Sequence, residues 1–304
     1  MNTTELHSIV LSWYAKQGRE FIWRSENPDP YIVLLSEIML QQTQTSRVQE
    51  KLPQFLRQFS SIHDLAKASN AEIIIAWQGM GYNNRALRLR DCAKSIVEQF
   101  AGIIPDDFSL LIQLPGIGQY TASAICAFVY KQDIGIVDVN IHRIYSRLLG
   151  LASVEELSAK QALTVAHEWN PSGKSSEWHQ ALMDIGALYC KAVNPQCGEC
   201  PLREKCLFQK QDLHLVRTPK KQKKSEPSHK GIPNRIWRGK LVELLRNSPA
   251  KEMIAAHALQ ILMQENPQKV DIQWFENNII AGLVKDSIVM YSETKGTLQF
   301  DDKK

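Results

Sequence analysis

From residue 4 to about residue 190 the chain repeats one pattern. Apolar side chains return every three or four positions, and polar ones fill the remaining faces. The stretches run Leu6–Tyr14, Tyr31–Leu40, Val48–Phe59, Ala71–Trp77, Ala86–Phe100, Phe108–Leu114, Tyr120–Tyr130, Ile141–Leu149, Glu155–His167 and Glu177–Cys190. Each predicts an amphipathic helix. The interruptions are turn-forming clusters such as ENPDP (26–30), GMGYNN (79–84) and PDD (105–107). Alternating β-branched runs do not occur here, so the pattern predicts an all-α body.

The texture changes after Cys206. Residues 217–230, RTPKKQKKSEPSHK, hold six basic residues, one acidic residue and two prolines, with no apolar anchor. This reads as the core of a flexible basic linker over 211–232. Beyond it, Asn234–Arg246, Ala250–Gln264 and Ile272–Gly282 have helical spacing. Val284–Ser292 and Gly296–Phe300 read as a hairpin joined through Glu293–Lys295. Residues 233–304 are thus expected to form a small α+β module of winged-helix-like character.

Composition narrows the class further. The 304 residues suggest about two domains at roughly 150 residues each, and 44% apolar with 22% charged residues is a globular composition. This excludes a collagen, a coiled-coil rod and a fully disordered chain. No apolar run is long enough for a membrane span, and the N-terminus lacks the pattern of a secretion signal. A cytoplasmic, nucleoid-associated protein with no membrane partner is expected. The net charge of +4, from 36 Lys and Arg against 32 Asp and Glu, permits a nucleic-acid partner without requiring one.

Four of the six cysteines fall within 17 residues: Cys190, Cys197, Cys200 and Cys206, spaced C-x6-C-x2-C-x5-C. In a reducing compartment such a cluster points to a metal site rather than to disulfides. Structural zinc sites usually show two short pairs, and only Cys197 and Cys200 form one here. Four thiolates in one loop also suit a [4Fe-4S] cluster, which the spacing favours over zinc. Cys92 and Cys126 lie in apolar helical stretches and read as buried small hydrophobes.

The most specific local pattern is FSLLIQLPGIGQYTASAICAF (108–128). One helix is expected to end at Leu114 and a second to start near Gln119. Pro115 sets the turn, and Gly116 and Gly118 permit positive φ with no side chain in the way. Free backbone N–H groups at the second helix's start would favour an anion. Taken alone, PGIG is equally an ordinary helical hairpin turn. Asp138 follows 22 residues after Gly116, with Asn140 beside it, and by itself reads as a helix N-cap.

In this order, the motifs FIWR (21–24), LSEIMLQQTQT (35–45), GMGYNNRA (79–86), LPGIGQYTASAI (114–125), VDVNIHR (137–143), QALMDIGALYC (180–190) and the cysteine loop resemble one family. The chain is similar to the helix–hairpin–helix DNA glycosylases of the endonuclease III superfamily, most of all to the MutY adenine DNA glycosylases. The resemblance covers about residues 5–210. It implies a two-lobed body: a six-helix barrel at 22–132, and a [4Fe-4S] cluster domain from 1–21 with 133–210. The active site would lie between the lobes. Lys191, Arg203 and Lys205 on the cluster loop would face DNA.

The resemblance also implies roles. Glu37, in the apolar stretch YIVLLSEIML, should have a raised pKa and stay protonated; it would be the general acid toward the adenine N7. Asp138, expected to stay ionised at a helix N-terminus, would stabilise the oxocarbenium-like sugar. Tyr120 and Asn140 would assist it. Tyr120 stands where lyase members of the superfamily place a Schiff-base lysine, so a monofunctional hydrolase is implied. Gln41, Gln42 and Tyr82 match residues that fill the vacated stack, and Trp23, Arg24 and Gln180 match the base pocket. Gly116, Gly118, Gln119 and Tyr120 would hold a DNA phosphate. The cluster ligands would be the four loop cysteines. The partner would be double-stranded DNA carrying a mispair, bound by a monomer.

The sequence departs from the family pattern at three places. Asn83 replaces a second aromatic after Tyr82, Val139 replaces a frequent Gly after Asp138, and 233–304 is too short for the Nudix-like domain that reads 8-oxoguanine. The leading reading is removal of adenine opposite guanine or 8-oxoguanine. A mismatch thymine/uracil glycosylase and a catalytically silent DNA-binding protein are the alternatives.

Overall fold

The computed structural model describes residues 2–211, 227–249, 251–264 and 270–302. The helices of the first two-thirds are α1 (Thr3–Gln17), α2 (Pro30–Leu40), α3 (Thr45–Gln58), α4 (Ile62–Lys67), α5 (Asn70–Ala76), α6 (Asn84–Phe100), α7 (Phe108–Leu111), α8 (Gln119–Phe128), α9 (Val139–Leu148), α10 (Ala159–Glu168), α11 (Ser175–Leu188) and α12 (Leu207–Lys210). The remainder runs β1 (Ser228–His229), β2 (Ile232–Pro233), α13 (Asn234–Asn247), β3 (Glu252–Ile254), α14 (Ala255–Gln264), α15 (Ile272–Phe275), α16 (Ala281–Lys285), β4 (Val289–Ser292) and β5 (Thr297–Phe300). Among the described residues, no helix is long and apolar enough to cross a membrane.

Local chemistry explains most boundaries. Ser61 with Asp64, Ser69 with Glu72 and Ser158 with Gln161 form capping boxes that start α4, α5 and α10. The box at Ser158 corrects the expected helix over Glu155–His167: the chain makes a 3-10 turn at Val154–Glu156 and starts the helix afresh at Ala159. The first hairpin helix is also shorter than expected. After Leu111 the amides of Gln113 and Leu114 turn back to the carbonyls of Leu110 and Leu111, tightening the chain ahead of Pro115.

The chain packs as two compact units, 1–37 with 104–221 and 38–103 with 222–304. This grouping differs from the expected lobes in placing α7 and α8 with the cysteine loop. The first unit's core joins α1, α9, α10 and α11 through Leu6, Val10, Trp13, Ile141, Tyr145, Trp169, Trp178 and Ile185, and Cys190, Cys200 and Cys206 pack against it. In the second unit Phe55 and Trp77 meet edge to face at 5.9 Å, and Trp237, Leu241, Phe275 and Leu283 are buried in the C-terminal part.

That C-terminal part resembles a winged helix in element order: helix α13, strand β3, helix α14, a second helical run in which a π-helical turn at Glu276–Ile280 joins α15 to α16, then the two-stranded hairpin β4–β5. Its sheet is antiparallel in the order β3-β5-β4, with Met253 opposite Leu298 and Met290 opposite Gln299. Two expectations need correction. Residues 252–254, expected to open a helix, form the third strand. Val284 belongs to α16 rather than to the hairpin, whose first strand starts at Val289 after Ser287 adopts φ +54°. Most of the expected basic linker lies outside the described residues. Its end, Pro227–Ile232, is ordered: β1 pairs with β2 around Lys230 and Gly231, both at positive φ.

Candidate active site

The first unit gathers Glu37, Tyr120, Asp138 and Asn140. Glu37 sits on α2 with only 4% of its surface exposed. Its two flanking turns, Val33–Leu35 and Ile38–Met39, are buried, so the helix holds the carboxyl in apolar surroundings. Burial pushes its pKa up to about 7, and Asp138 adds to the rise; a hydrogen bond from Tyr120 and the charge of Arg24 oppose it. One carboxyl oxygen, Oε2, has no hydrogen-bond partner. This is the arrangement of an acid held near neutrality.

Asp138 is the N-cap of α9. Its Oδ1 accepts from the Asn140 and Ile141 amides at 2.9 and 2.7 Å, and its Oδ2 accepts from Asn140 Nδ2 at 2.9 Å. These donors suit an anion. Burial outweighs them, however, so the pKa lies above the ordinary aspartate value rather than below it. Tyr120, the second residue of α8, is raised well above the usual phenol value, first by burial and then by the charges of Glu37 and Asp138. Its hydroxyl also points at Met183 Sδ, 4.0 Å away.

Behind Asp138 runs a chain of bonds absent from the sequence reading. Arg143 Nη2 donates to Asn140 Oδ1 at 2.8 Å and to the Gly186 carbonyl at 3.0 Å; its Nε donates to the Cys190 carbonyl at 2.5 Å. The Asp138 carboxylate is thus tied through Asn140 and Arg143 to the first cysteine of the loop. Gly186 makes the approach possible. A Cβ there would lie 2.6 Å from Asn140 Cβ.

Of the expected pocket residues Trp23, Arg24 and Gln180, Arg24 pairs directly with a second buried carboxylate, Asp184. It accepts from Arg24 Nη1 at 2.9 and 3.0 Å, from Arg19 Nε at 2.8 Å, and from the Arg19 amide at 2.9 Å. Tyr14 donates to Gln180 Oε1 at 2.5 Å. Phe21 stacks on Trp23 at 4.7 Å, with the Arg24 guanidinium 4.8 Å above the Phe21 ring. The sequence reading missed Asp184, Arg19, Tyr14 and Phe21. The signal for Asp184 was the one that singled out Glu37: a lone carboxyl inside an apolar helical stretch.

At the hairpin, Gly116 has φ +79°, as its turn requires. Gly118 corrects the expectation for it. It is extended, at φ −102°, and serves as the N-cap of α8. It has no side chain to cap the helix, and a Cβ there would meet nothing within 4 Å, so its role is open space in front of the first amides of α8. Gly118 and Gln119 are exposed.

The second unit brings Gln41, Gln42 and Tyr82 together. Their loops are joined by Arg85, whose guanidinium donates to the carbonyls of Ile38, Met39, Gln41, Met80 and Gly81 and to Thr43 Oγ1. Gln42 and Tyr82 both take left-handed φ, and Tyr82 is 56% exposed.

The four loop cysteines are free thiols, each half-buried. They feel one another's charge, which raises the pKa of Cys197, Cys200 and Cys206 on top of burial. Arg147 donates to Cys190 Sγ at 3.2 Å. Among the described residues no three His, Cys, Asp or Glu side chains converge on one ion. A [4Fe-4S] cube takes one thiolate per iron, so its ligands need no common centre. Four thiols close enough to feel one another's charge, with the Arg147 cation on Cys190, fit that group. Of the expected DNA-facing residues on this loop, Lys205 pairs with Glu5.

Residues 35–167 match the HhH-GPD superfamily of base excision DNA repair proteins, and residues 190–206 match the iron-sulfur binding domain of endonuclease III. The fold and these matches therefore place the chain in the helix–hairpin–helix class of base excision DNA repair proteins, with a [4Fe-4S] cluster as its cofactor. An adenine DNA glycosylase from Mycolicibacterium smegmatis is 31% identical over 278 residues, covering 91% of this chain and 92% of that one. One from Mycobacterium tuberculosis is 37% identical over 199 residues; the chain covers 64% of its length. The chain belongs to the adenine DNA glycosylase family. A thermostable thymine-DNA glycosylase structure aligns with TM-score 0.64 and 27% identity over 69% of this chain and 97% of that one. An endonuclease III–DNA complex, at 20% identity and TM-score 0.60 over 70% and 99%, shares the fold.

Proposed function

We propose that the protein is a monofunctional DNA glycosylase that hydrolyses the N-glycosidic bond of adenine mispaired with guanine or 8-oxoguanine. The observation that carries this is the pair of carboxyls around Tyr120. Glu37 is buried with a pKa of about 7, and Asp138 is surrounded by donors that suit its anion. Departure of a purine needs one proton on the base and one negative charge by the sugar.

In this reading Glu37 delivers its proton to adenine N7. Asp138 faces C1′ and stabilises the positive charge that develops as the bond breaks. Asn140 orients Asp138, and Tyr120 holds the Glu37 carboxyl in place. Trp23, Arg24 and Gln180 line the pocket for the extruded base. Gln41, Gln42 and Tyr82 occupy the gap that it leaves, and Gly116, Gly118, Gln119 and Tyr120 hold a backbone phosphate at the start of α8. No lysine stands at the Tyr120 position, so no Schiff base forms; a water adds to C1′ and gives its proton to the Glu37 carboxylate left after N7 was protonated, which restores the acid. Cys190, Cys197, Cys200 and Cys206 hold the cluster, which braces the loop when bound. The partner is mispaired duplex DNA and the acting species is a monomer of the nucleoid. The division into a barrel at 22–132 and a cluster domain at 1–21 with 133–210 belongs to the same reading.

The test is single-turnover excision on A:8-oxoG, A:G, T:G and U:G duplexes. Removal of adenine from the first two is expected. The similarity to a thymine-DNA glycosylase supports a second reading, which wins if thymine leaves T:G while adenine is untouched.

A further inference from the structure

The C-terminal module has the element order of a DNA-reading winged helix, yet its charge is wrong for that task. The helix pair that would enter a groove, α15 with α16, offers Lys285 against Asp271, Glu276 and Asp286. Its surface is used differently: α13 and the α16–β4 turn face residues 70–84 of the same unit. Asn70 Nδ2 donates to the Ser287 carbonyl at 3.0 Å, and Gln78 donates to Glu243.

The centre of this contact is Arg246, a buried side chain on α13. Its Nε and Nη2 both donate to the Ile74 carbonyl, at 3.1 and 2.8 Å. Nη2 also donates to Asn83 Oδ1 at 3.1 Å, and Nη1 pairs with Glu243 at 3.0 Å. These two attachment points flank the loop 77–84, at the C-terminal turn of α5 and directly after Tyr82. From the other side Arg85 holds Met80 and Gly81. Between these ties the loop spans a cavity of about 470 Å³ whose far wall includes Arg235, Arg238 and Gly239 of α13. Gly79, Gly81 and Tyr82 all have positive φ, which glycine adopts at no steric cost and which leaves Tyr82 in a strained backbone conformation that its surroundings must hold.

We infer that residues 227–302 are a brace for the Tyr82 loop, and that Arg246 is the positioning residue that fixes Tyr82 for base extrusion. Asn83 is the side-chain acceptor on the loop that makes this brace possible. The inference rests on the proposed glycosylase function. It assigns the module to the protein's own loop rather than to a groove of DNA.

The test uses the full-length, cluster-loaded protein with Arg246→Ala, Arg246→Lys and Asn83→Ala. Three quantities are read: single-turnover excision of adenine, fluorescence of 2-aminopurine at the target position as a report of extrusion, and amide exchange at 79–84. Misplacing a group by an ångström costs up to about 100-fold, so Arg246→Ala should slow extrusion and excision roughly 10- to 100-fold and speed exchange at 79–84. Lysine cannot reach Ile74 and Asn83 together and should restore only part. Asn83→Ala should reproduce part of the extrusion defect with an unchanged Tm, which separates positioning from loss of fold. The brace is overturned if wild-type protein excises adenine and both alanine variants match it. It is also overturned if the Arg246→Ala defect vanishes well below that variant's Tm. If wild-type protein excises no base, the functional reading fails instead, and amide exchange alone decides the brace: unchanged protection at 79–84 sinks it.

Discussion

Replacing Glu37 by glutamine separates catalysis from stability in one residue. Glutamine keeps the shape but has no proton to give and no charge to bury. The carboxyl titrates at about 7 in the folded protein against 4.5 for the free group. A folded pKa above the unfolded one contributes stability at low pH that is lost as pH rises through the folded value. At 1.36 kcal/mol per pH unit, the native protein should lose about 3 kcal/mol from this group between pH 4.5 and pH 8. Glu37→Gln is free of that loss. Urea unfolding at pH 5 and pH 8 should therefore show the variant gaining on wild type by about 2–3 kcal/mol at the higher pH. The comparison cancels other buried groups, such as His179, whose pKa is pushed down to about 4 by burial. Excision by the variant should fall by 10² or more, and wild-type excision should decline above about pH 7 as Glu37 deprotonates. A stability difference that stays constant from pH 5 to pH 8 would refute the buried-acid argument, whatever happened to activity.

Asp138→Asn should fold, since asparagine also caps helices, yet lose roughly 10²–10³ in excision rate; near-normal turnover would remove Asp138 from the sugar. Asp184→Asn leaves Arg19 and Arg24 without their buried anion, and thermal or urea unfolding should register a loss of about 3–5 kcal/mol. Purified protein should show the broad visible absorption of a four-thiolate iron–sulfur cluster. Colourless protein with stoichiometric zinc would contradict it. DNA affinity should fall linearly on a log–log salt plot, and a flat plot would argue against phosphate gripping by α8.

Periodicity alone located nearly every helix of residues 3–190, because burial of one face is written locally every third or fourth residue. Charge in an apolar run marked Glu37, spacing marked the cysteines, and PG followed by a second glycine marked the hairpin turn. Where local signals compete, the pattern misled. Residues 252–254 read as helix because their apolar spacing fits both elements, and pairing with β5 over forty residues away makes them a strand. Gly118 read as a positive-φ residue because glycine permits it, while the cap of α8 calls only for extended backbone. The pKa of Asp138 shows the same limit. Its N-cap position is visible in the sequence, but burial, which outweighs the cap, is a property of the packed surroundings. Arg143 and Arg246 lie furthest from sequence reasoning. Each is an ordinary charged residue on a helix until folding brings its partners, 43 and 172 positions away, within hydrogen-bond distance. Composition and period specify which faces turn inward; which polar groups meet there depends on the three-dimensional path of the backbone, which no single stretch encodes.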